Sequence, residues 1–228
     1  MKTYCVIPKV ISLELCKFLT DYFLLKRKVA TTLFKSQYLS PFSKEWGVWT
    51  DTQVPKTYSH YGDVAMDILL PRVQPILEKK LKLKLYPTYT YARIYKKGDV
   101  LERHKDRPSC EISATMFLGG DAWPIYLEPN SNLGGRPSVV GEYTPSKSKG
   151  IEVMLKEGDI LIYKGCEMEH WRKKFKGKDC VQVFLHYNNV DGILGHGLFN
   201  LHDNRPHLGL PAWFKGRKDD KKLNSKTG

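Results

Sequence analysis

The chain has 228 residues, 41% of them hydrophobic, with 37 Lys and Arg against 24 Asp and Glu and a formal net charge of +13. That length fits one domain with a real core, and no apolar run approaches the roughly 20 residues of a membrane helix. The opening residues, Met1 to Pro8, carry neither a long apolar stretch nor a small-residue cleavage site, so no signal peptide is expected. Five cysteines, at 5, 16, 110, 166 and 180, form no CxxC pair and leave one odd, which argues against a disulfide scaffold or a structural zinc site. Reduced thiols in a cytoplasmic protein are the expectation.

The first predicted helix follows Ser12, which can cap it, with Glu14 in the opening turn and Leu15, Phe18, Leu19, Tyr22 and Phe23 recurring at i, i+3, i+4 spacing. A stretch rich in Ser, Tyr, Pro and Trp, 36–61, reads as ordered loop. A second helix is predicted from Asp63 to about Lys80, with Val64, Ile68, Leu69, Val73, Ile76 and Leu77 on one stripe. Pro71 and Pro75 interrupt it, so a kink or split is expected.

From Tyr86 the character changes. Segments 89–95, 111–118, 124–128, 151–155, 159–163 and 181–187 read as short strands, punctuated by Gly, Pro and Asp and without helices between them. Helices followed by strands make the expected class α+β, a helical support on a sandwich or barrel core. The Gly, Ser and Pro-rich segment 131–149 is a long loop and a candidate lid. One domain over 1–214 is expected: helical support to about 85, β core over about 86–190, and a closing segment 191–214. The polar stretch 215–228 is expected to be a disordered basic tail.

The positive charge favours anionic partners such as nucleic acid, an acidic protein or a carboxylate-bearing small molecule. It is spread over separate runs, near 79–84, 172–178 and the end of the chain, and most of these read as solvated faces.

His104-Lys105-Asp106 is the motif with the most chemistry in it. On an extended segment, residues i and i+2 point the same way, so the imidazole and the carboxylate can grip one ion. His170 follows several predicted strands later, placed to supply a third ligand. Two His and one carboxylate on one face of a divalent metal leave open positions opposite, which suits non-haem Fe(II) and oxygen chemistry.

Around these residues the sequence resembles a known family. Tyr95-x-x-Gly98 before His104-x-Asp106, then Gly158-Asp159 and the apolar strand 160–163 before His170, and Leu185-His186 in the last strand, look like the 2-oxoglutarate/Fe(II)-dependent dioxygenases of the prolyl 4-hydroxylase-like branch. The resemblance runs from about Tyr89 to Tyr187. It implies a double-stranded β-helix, or jelly roll, with His104, Asp106 and His170 as iron ligands at its open end. It also implies 2-oxoglutarate and O2 as co-substrates, with ascorbate as an accessory reductant. The implied activity is hydroxylation at a C–H bond, first of all on a prolyl residue of a peptide or protein, with a free amino acid or small metabolite as the alternative.

In the family, a Lys or Arg about ten residues after the distal His pairs the far carboxylate of 2-oxoglutarate. Cys180 stands there in this chain. Two anchors remain: Arg172, at i+2 from His170 and so on the same face of a continuing strand, and Lys178, just before the last strand. Tyr95 matches a position that hydrogen-bonds 2-oxoglutarate, and Thr115 and Ser113 lie on a strand expected to face the pocket. Gln182 and His186 share strand parity with Lys178. Arg107 is the candidate substrate contact, and Trp171 is placed either to shield the metal or to pack. The branch that demethylates nucleic acid uses two closely spaced Arg after the distal His, and after Arg172 the next Arg is Arg205, which disfavours it. A cupin would need several His and a Glu, a pattern not seen here. A metal-free jelly-roll binding module is the competing reading from another class.

Overall fold

The computed structural model describes residues 4–40, 43–135 and 143–192. All but the first two residues of the expected closing segment 191–214, and the whole of 215–228, lie outside the described residues. In chain order the elements are β1 (Tyr4–Ile7), α1 (Leu13–Lys35), β2 (Tyr58–Tyr61), α2 (Val64–Asp67), α3 (Leu69–Leu81), β3 (Leu85–Lys96), β4 (Leu101–His104), a 3-10 turn (Pro108–Cys110), β5 (Ile112–Gly120), β6 (Ile125–Leu127), β7 (Ile151–Val153), β8 (Ile160–Tyr163), β9 (His170–Arg172) and β10 (Asp179–Asn189).

The strands form two antiparallel sheets, one in the order β1-β8-β5-β10-β3-β2 and one in the order β4-β9-β6-β7. Strands β3 to β10 cross between the sheets at every step except the β6–β7 hairpin, which stays in the small sheet, as a jelly roll requires, so the fold is the expected α+β double-stranded β-helix. The N-terminal region is more than a helical support. It supplies β1 and β2, which extend the large sheet at its two edges. β2 falls inside the stretch that reads as loop, because four residues of Tyr, Ser and His carry no apolar alternation.

Period-two patterning sorts the large sheet into two faces. Ala92 and Ile94 of β3, Ala114 and Met116 of β5, Ile160 and Ile162 of β8, and Val181, Val183 and Leu185 of β10 pack under the helices. The alternate residues Tyr95, Phe117, Leu161, Tyr163 and Cys180 face the small sheet, where they meet Leu101, Ile125 and Leu127. β10, buried on both faces along most of its length, pairs with β3 on one side and β5 on the other.

Ser12 caps α1, its hydroxyl accepting from the Leu15 N–H at 3.2 Å. The helix buries Cys16, Leu19, Phe23 and Ala30 and runs on to Lys35, whereas Phe18, expected on the buried stripe, is 64% exposed. The expected break in the second helix falls at Ile68, ahead of Pro71. Its buried stripe is Met66, Leu69, Leu70, Val73 and Leu77, with Val64, Ile68 and Ile76 exposed. Spacing located both helices, but which apolar residues turn inward depended on the sheet they meet.

Asp63 joins these helices. One of its oxygens accepts from the N–H groups of Ala65 (3.0 Å) and Met66 (3.2 Å), capping α2. The other accepts from the Tyr22 hydroxyl at 2.9 Å and from Lys26 of α1, and lies 3.1 Å from His60 Nδ1. Burial pushes the carboxyl upward in pKa, but hydrogen bonds from His60 and Lys26 outweigh it and hold the group well below the usual carboxylate range. A pKa depressed in the folded state contributes stability that is present above the unfolded value, near pH 4, and is lost as pH falls. Asp63→Ala is therefore expected to lower the unfolding free energy by about 3–5 kcal/mol and to flatten the loss of stability below about pH 4. Urea denaturation across pH measures both, and a change under ~1 kcal/mol at neutral pH would contradict this account.

Candidate metal centre

Strands β4 and β9 pair so that His104 lies directly opposite His170. A register shift between Leu101 and His104 lets both of these residues face the interior although they are three apart. Asp106 follows β4, its N–H donating to the carbonyl of Gly165 at 2.8 Å. Asp106 Oδ1 then lies 3.6 Å from His104 Nε2 and 3.5 Å from His170 Nε2. The three ligand atoms fall within 4.8 Å of one another.

The histidine tautomers are set from behind. His104 Nδ1 is 2.8 Å from the carbonyl of Glu102, and His170 Nδ1 is 3.0 Å from that of Met168. A carbonyl only accepts, so each Nδ1 carries a proton and each Nε2 is the nitrogen turned toward Asp106. Burial, with the neighbouring His170, pushes the His104 pKa down and favours its neutral ring, whereas at His170 burial is outweighed by the Asp106 carboxylate, which raises the pKa. Burial opposes ionisation of Asp106 too, but His170 and His104 outweigh it and hold the carboxyl well below its usual range. Ser113 donates to Asp106 Oδ2 at 2.8 Å and lies 3.1 Å from His186 Nδ1, so the oxygen turned away from the histidines is fixed. Two imidazoles that turn Nε2, and a carboxylate that turns one oxygen, toward a common point fit a divalent transition metal, which would take the place of any Nε2 proton.

A cavity of about 540 Å³ opens over this cluster, walled by β3, β4, β8, β10 and the irregular segment before β2. Tyr95 lines it, fully buried, its hydroxyl accepting from Arg93 Nη1 at 3.1 Å. Thr115 is buried on the same interior and donates to Gln182 Oε1 at 3.3 Å. His186 also lines the cavity. Arg107 stands exposed at the rim, its guanidinium 4.8 Å from the centre of the Tyr89 ring.

The two anchor candidates part company. Arg172 is 1% exposed, on β9 beside His170; its Nη1 donates to the Trp123 carbonyl, while Nε and Nη2 have no hydrogen-bond partner. A buried guanidinium with two idle donors is costly by itself and fits an absent anion. Lys178 is exposed in the turn before β10, where its backbone N–H bonds Asp121 Oδ2 at 2.6 Å. β10 begins at Asp179, so the parity that turns Gln182 and His186 inward does not reach back to Lys178, and its side chain is not brought to the site.

The segment 131–149, expected as a lid, sits elsewhere. None of its described residues lines the cavity. The described residues 131–135 and 143–149 are held on the outer face of the small sheet, where Lys105, between His104 and Asp106 with its amine turned away from them, donates to the carbonyls of Ser131 (2.9 Å) and Gly134 (3.2 Å). Trp171 is on that face too, stacked on Tyr126, so it packs rather than shields the cluster.

Sequence reasoning missed two interior residues. Tyr163 lines the cavity with its ring edge-on to His170, centroids 4.8 Å apart. Arg93 is buried and paired with Asp51. Both were within reach of parity, since Arg93 is two residues before Tyr95 and Tyr163 two after Leu161.

No family model and no curated protein matches the sequence. Among solved structures, the chain superposes on HygX from Streptomyces hygroscopicus with nickel and 2-oxoglutarate bound, at a TM-score of 0.57 and 14% identity over 94% of this chain and 90% of that one. It superposes equally on the epimerase SnoN in complex with Fe3+, alpha ketoglutarate and nogalamycin RO, with a TM-score of 0.57 and 14% identity over 83% and 80% of the two chains. The carbocyclase SnoK from nogalamycin biosynthesis gives 0.55 at 12% identity over 92% and 91%. The shared fold is the double-stranded β-helix of the 2-oxoglutarate/Fe(II) oxygenases. Among the described residues, no helix is long and apolar enough to cross a membrane.

Gly165 gives a test of the geometry. A Cβ there would collide with Ser113 Oγ and come within 2.5 Å of Asp106 Oδ2 and 2.6 Å of the Cys110 carbonyl. Gly165→Ala is therefore expected to displace the carboxylate and weaken Co(II) binding by about tenfold or more, read by calorimetric titration; unchanged affinity would mean that Asp106 does not contribute as placed.

Proposed function

We propose that this protein is a 2-oxoglutarate- and Fe(II)-dependent oxygenase that acts at a substrate C–H bond, with His104, Asp106 and His170 holding the metal. The observation that carries the reading is a juxtaposition around β9, although Arg172 is not itself among the residues that line the cavity over the cluster. It brings together three convergent ligand atoms and, on the same short strand as His170, the buried Arg172 with two unpartnered donors. A metal-free binding module of the same fold has no use for the three convergent ligand atoms.

Arg172 receives the far carboxylate of 2-oxoglutarate and takes the place that Cys180 vacates. Tyr95 and Thr115 are the flanking hydroxyls available to the same molecule. Ser113 holds Asp106 so that one carboxylate oxygen faces the metal. When bound, metal and co-substrate supply the oxidising power: O2 is consumed, 2-oxoglutarate leaves as succinate and CO2, and the substrate C–H bond becomes C–OH. Arg107 and the tyrosines of β3 at the cavity mouth orient the substrate.

A prolyl residue of a peptide is the first substrate class to test. The concave, aromatic-walled cavity favours a second reading, a small-molecule substrate. Proteins of the same fold include HygX, which has been seen with hygromycin B bound.

Anaerobic addition of Fe(II) and 2-oxoglutarate should give a weak visible absorption that His104→Ala abolishes. A folded wild-type protein that never develops it would sink this reading. Arg172→Met separates anchor from scaffold. Replacing a poorly paired buried ion with an apolar side chain should leave stability unchanged or raise it by about 1–4 kcal/mol, while 2-oxoglutarate affinity falls by at least about tenfold. Thermal unfolding and co-substrate titration of the one variant read both, and retained affinity would remove Arg172 from the site.

A further inference from the structure

The side chains that flank the proposed ligands point the other way and meet each other. Arg103 precedes His104 and Glu169 precedes His170. Arg103 Nη1 donates to Glu169 Oε2 at 3.1 Å on the outer face of the small sheet. The Glu169 carboxylate is fully buried. Its Oε1 accepts from the Tyr143 hydroxyl and from the Ser146 N–H, both at 2.8 Å, and its Oε2 accepts from the Ser146 hydroxyl. Arg103 donates through Nη2 to the Ser148 carbonyl, and its guanidinium lies 3.5 Å from the centre of the Trp171 ring. Gly134 and Gly150 allow the close approach, since a Cβ on the first would come within 2.9 Å of Glu169 Oε1 and one on the second would strike Trp171. The segment 143–150 is thus buckled to β4 and β9 through one ion pair.

β4 and β9 are short, and only Leu101↔Arg172 and His104↔His170 are in register between them. So little ladder leaves room for slippage, and a one-residue slip would turn the ligands out of the site. We propose that Arg103 and Glu169 are positioning residues: their ion pair, with segment 143–150 clasped round it, locks β4 against β9 and so sets the spacing of His104 and His170. The inference rests on the metal reading above only for the identity of what those histidines hold.

The test pairs metal affinity with hydrogen exchange, using the whole chain and Co(II) alone. Glu169→Ala is expected to weaken Co(II) binding by about 10- to 100-fold at temperatures where the protein is folded, and to speed amide exchange at 143–150 and at 102–106 and 168–172. Glu169→Gln, which removes the charge and replaces one of the two acceptor oxygens with an NH2 donor, should fall between. Tyr143→Phe removes one part-buried hydrogen bond to Glu169, leaves the fold intact if Glu169→Ala does not, and should move both readouts in the same direction by a smaller factor. Faster exchange confined to 143–150 with unchanged Co(II) affinity would overturn the proposal, as would no change in either. If the wild type binds no Co(II), the metal reading fails by itself. Exchange at 102–106 and 168–172 then still decides the lock: faster in Glu169→Ala supports it, unchanged overturns it.

Discussion

The pairing of β4 with β9 is the contact on which the rest of the site depends. It puts His104 opposite His170, two residues far apart in sequence, and it does so with only two registered positions. The register shift between Leu101 and His104 is what allows an apolar core residue and a ligand to share one face. Without it, alternation would send one of them to the outer surface. Asp106 then needs no strand of its own, because the Gly165 carbonyl that receives its N–H belongs to the turn leading to β9.

The charged groups buried in and around the small sheet each have a partner, with one exception. Asp106 has two imidazoles and Ser113. Arg93 has Asp51, Gln53 and the Tyr95 hydroxyl. Glu169 has Arg103, Tyr143 and Ser146. Arg172 alone among these is left with two donors unused. Buried ions are poor devices for stability, so a chain that keeps this one under-satisfied is spending folding free energy at that spot, as sites that await a ligand do.

The helices, the strands β3, β5, β6, β7, β8 and β10 and the His104-x-Asp106 cluster were legible in the sequence because each rests on a short-range regularity: helical spacing, alternation, or same-side placement at i and i+2; the short β1, β4 and β9 carry too few residues to show one. What was illegible depended on partners distant in sequence. The inward stripe of α2 and α3 shifted to Met66 and Leu70 because the sheet beneath decides it. β2 was hidden because its pairing with β3, rather than its own composition, makes it a strand. The segment 131–149 had the composition of a lid, but composition does not say which face of a sheet a loop will cross; Lys105, Arg103 and Glu169 decide that. Lys178 and Arg172 differed by where a strand begins, and sequence leaves strand boundaries uncertain by about the two residues that mattered.

The consequence for the proposed chemistry lies in β9 itself. Its three residues place His170 and Arg172 inward and Trp171 outward. Two inward side chains on one strand stand about 6.5–7 Å apart along it, and a strand this short has no internal freedom to change that. If His170 holds a metal and Arg172 the far carboxylate of a co-substrate, the span between them is set by backbone geometry rather than by the mutual packing of β9 and β10. An anchor on β10, where Cys180 stands, would make the span depend on how two strands of different sheets are stacked. Moving the cation onto β9 ties ligand and anchor to one element. The same element is gripped from behind by Arg103, which pairs with Glu169 and lies over the Trp171 ring, so whatever steadies the outer face of the small sheet steadies both side chains at once.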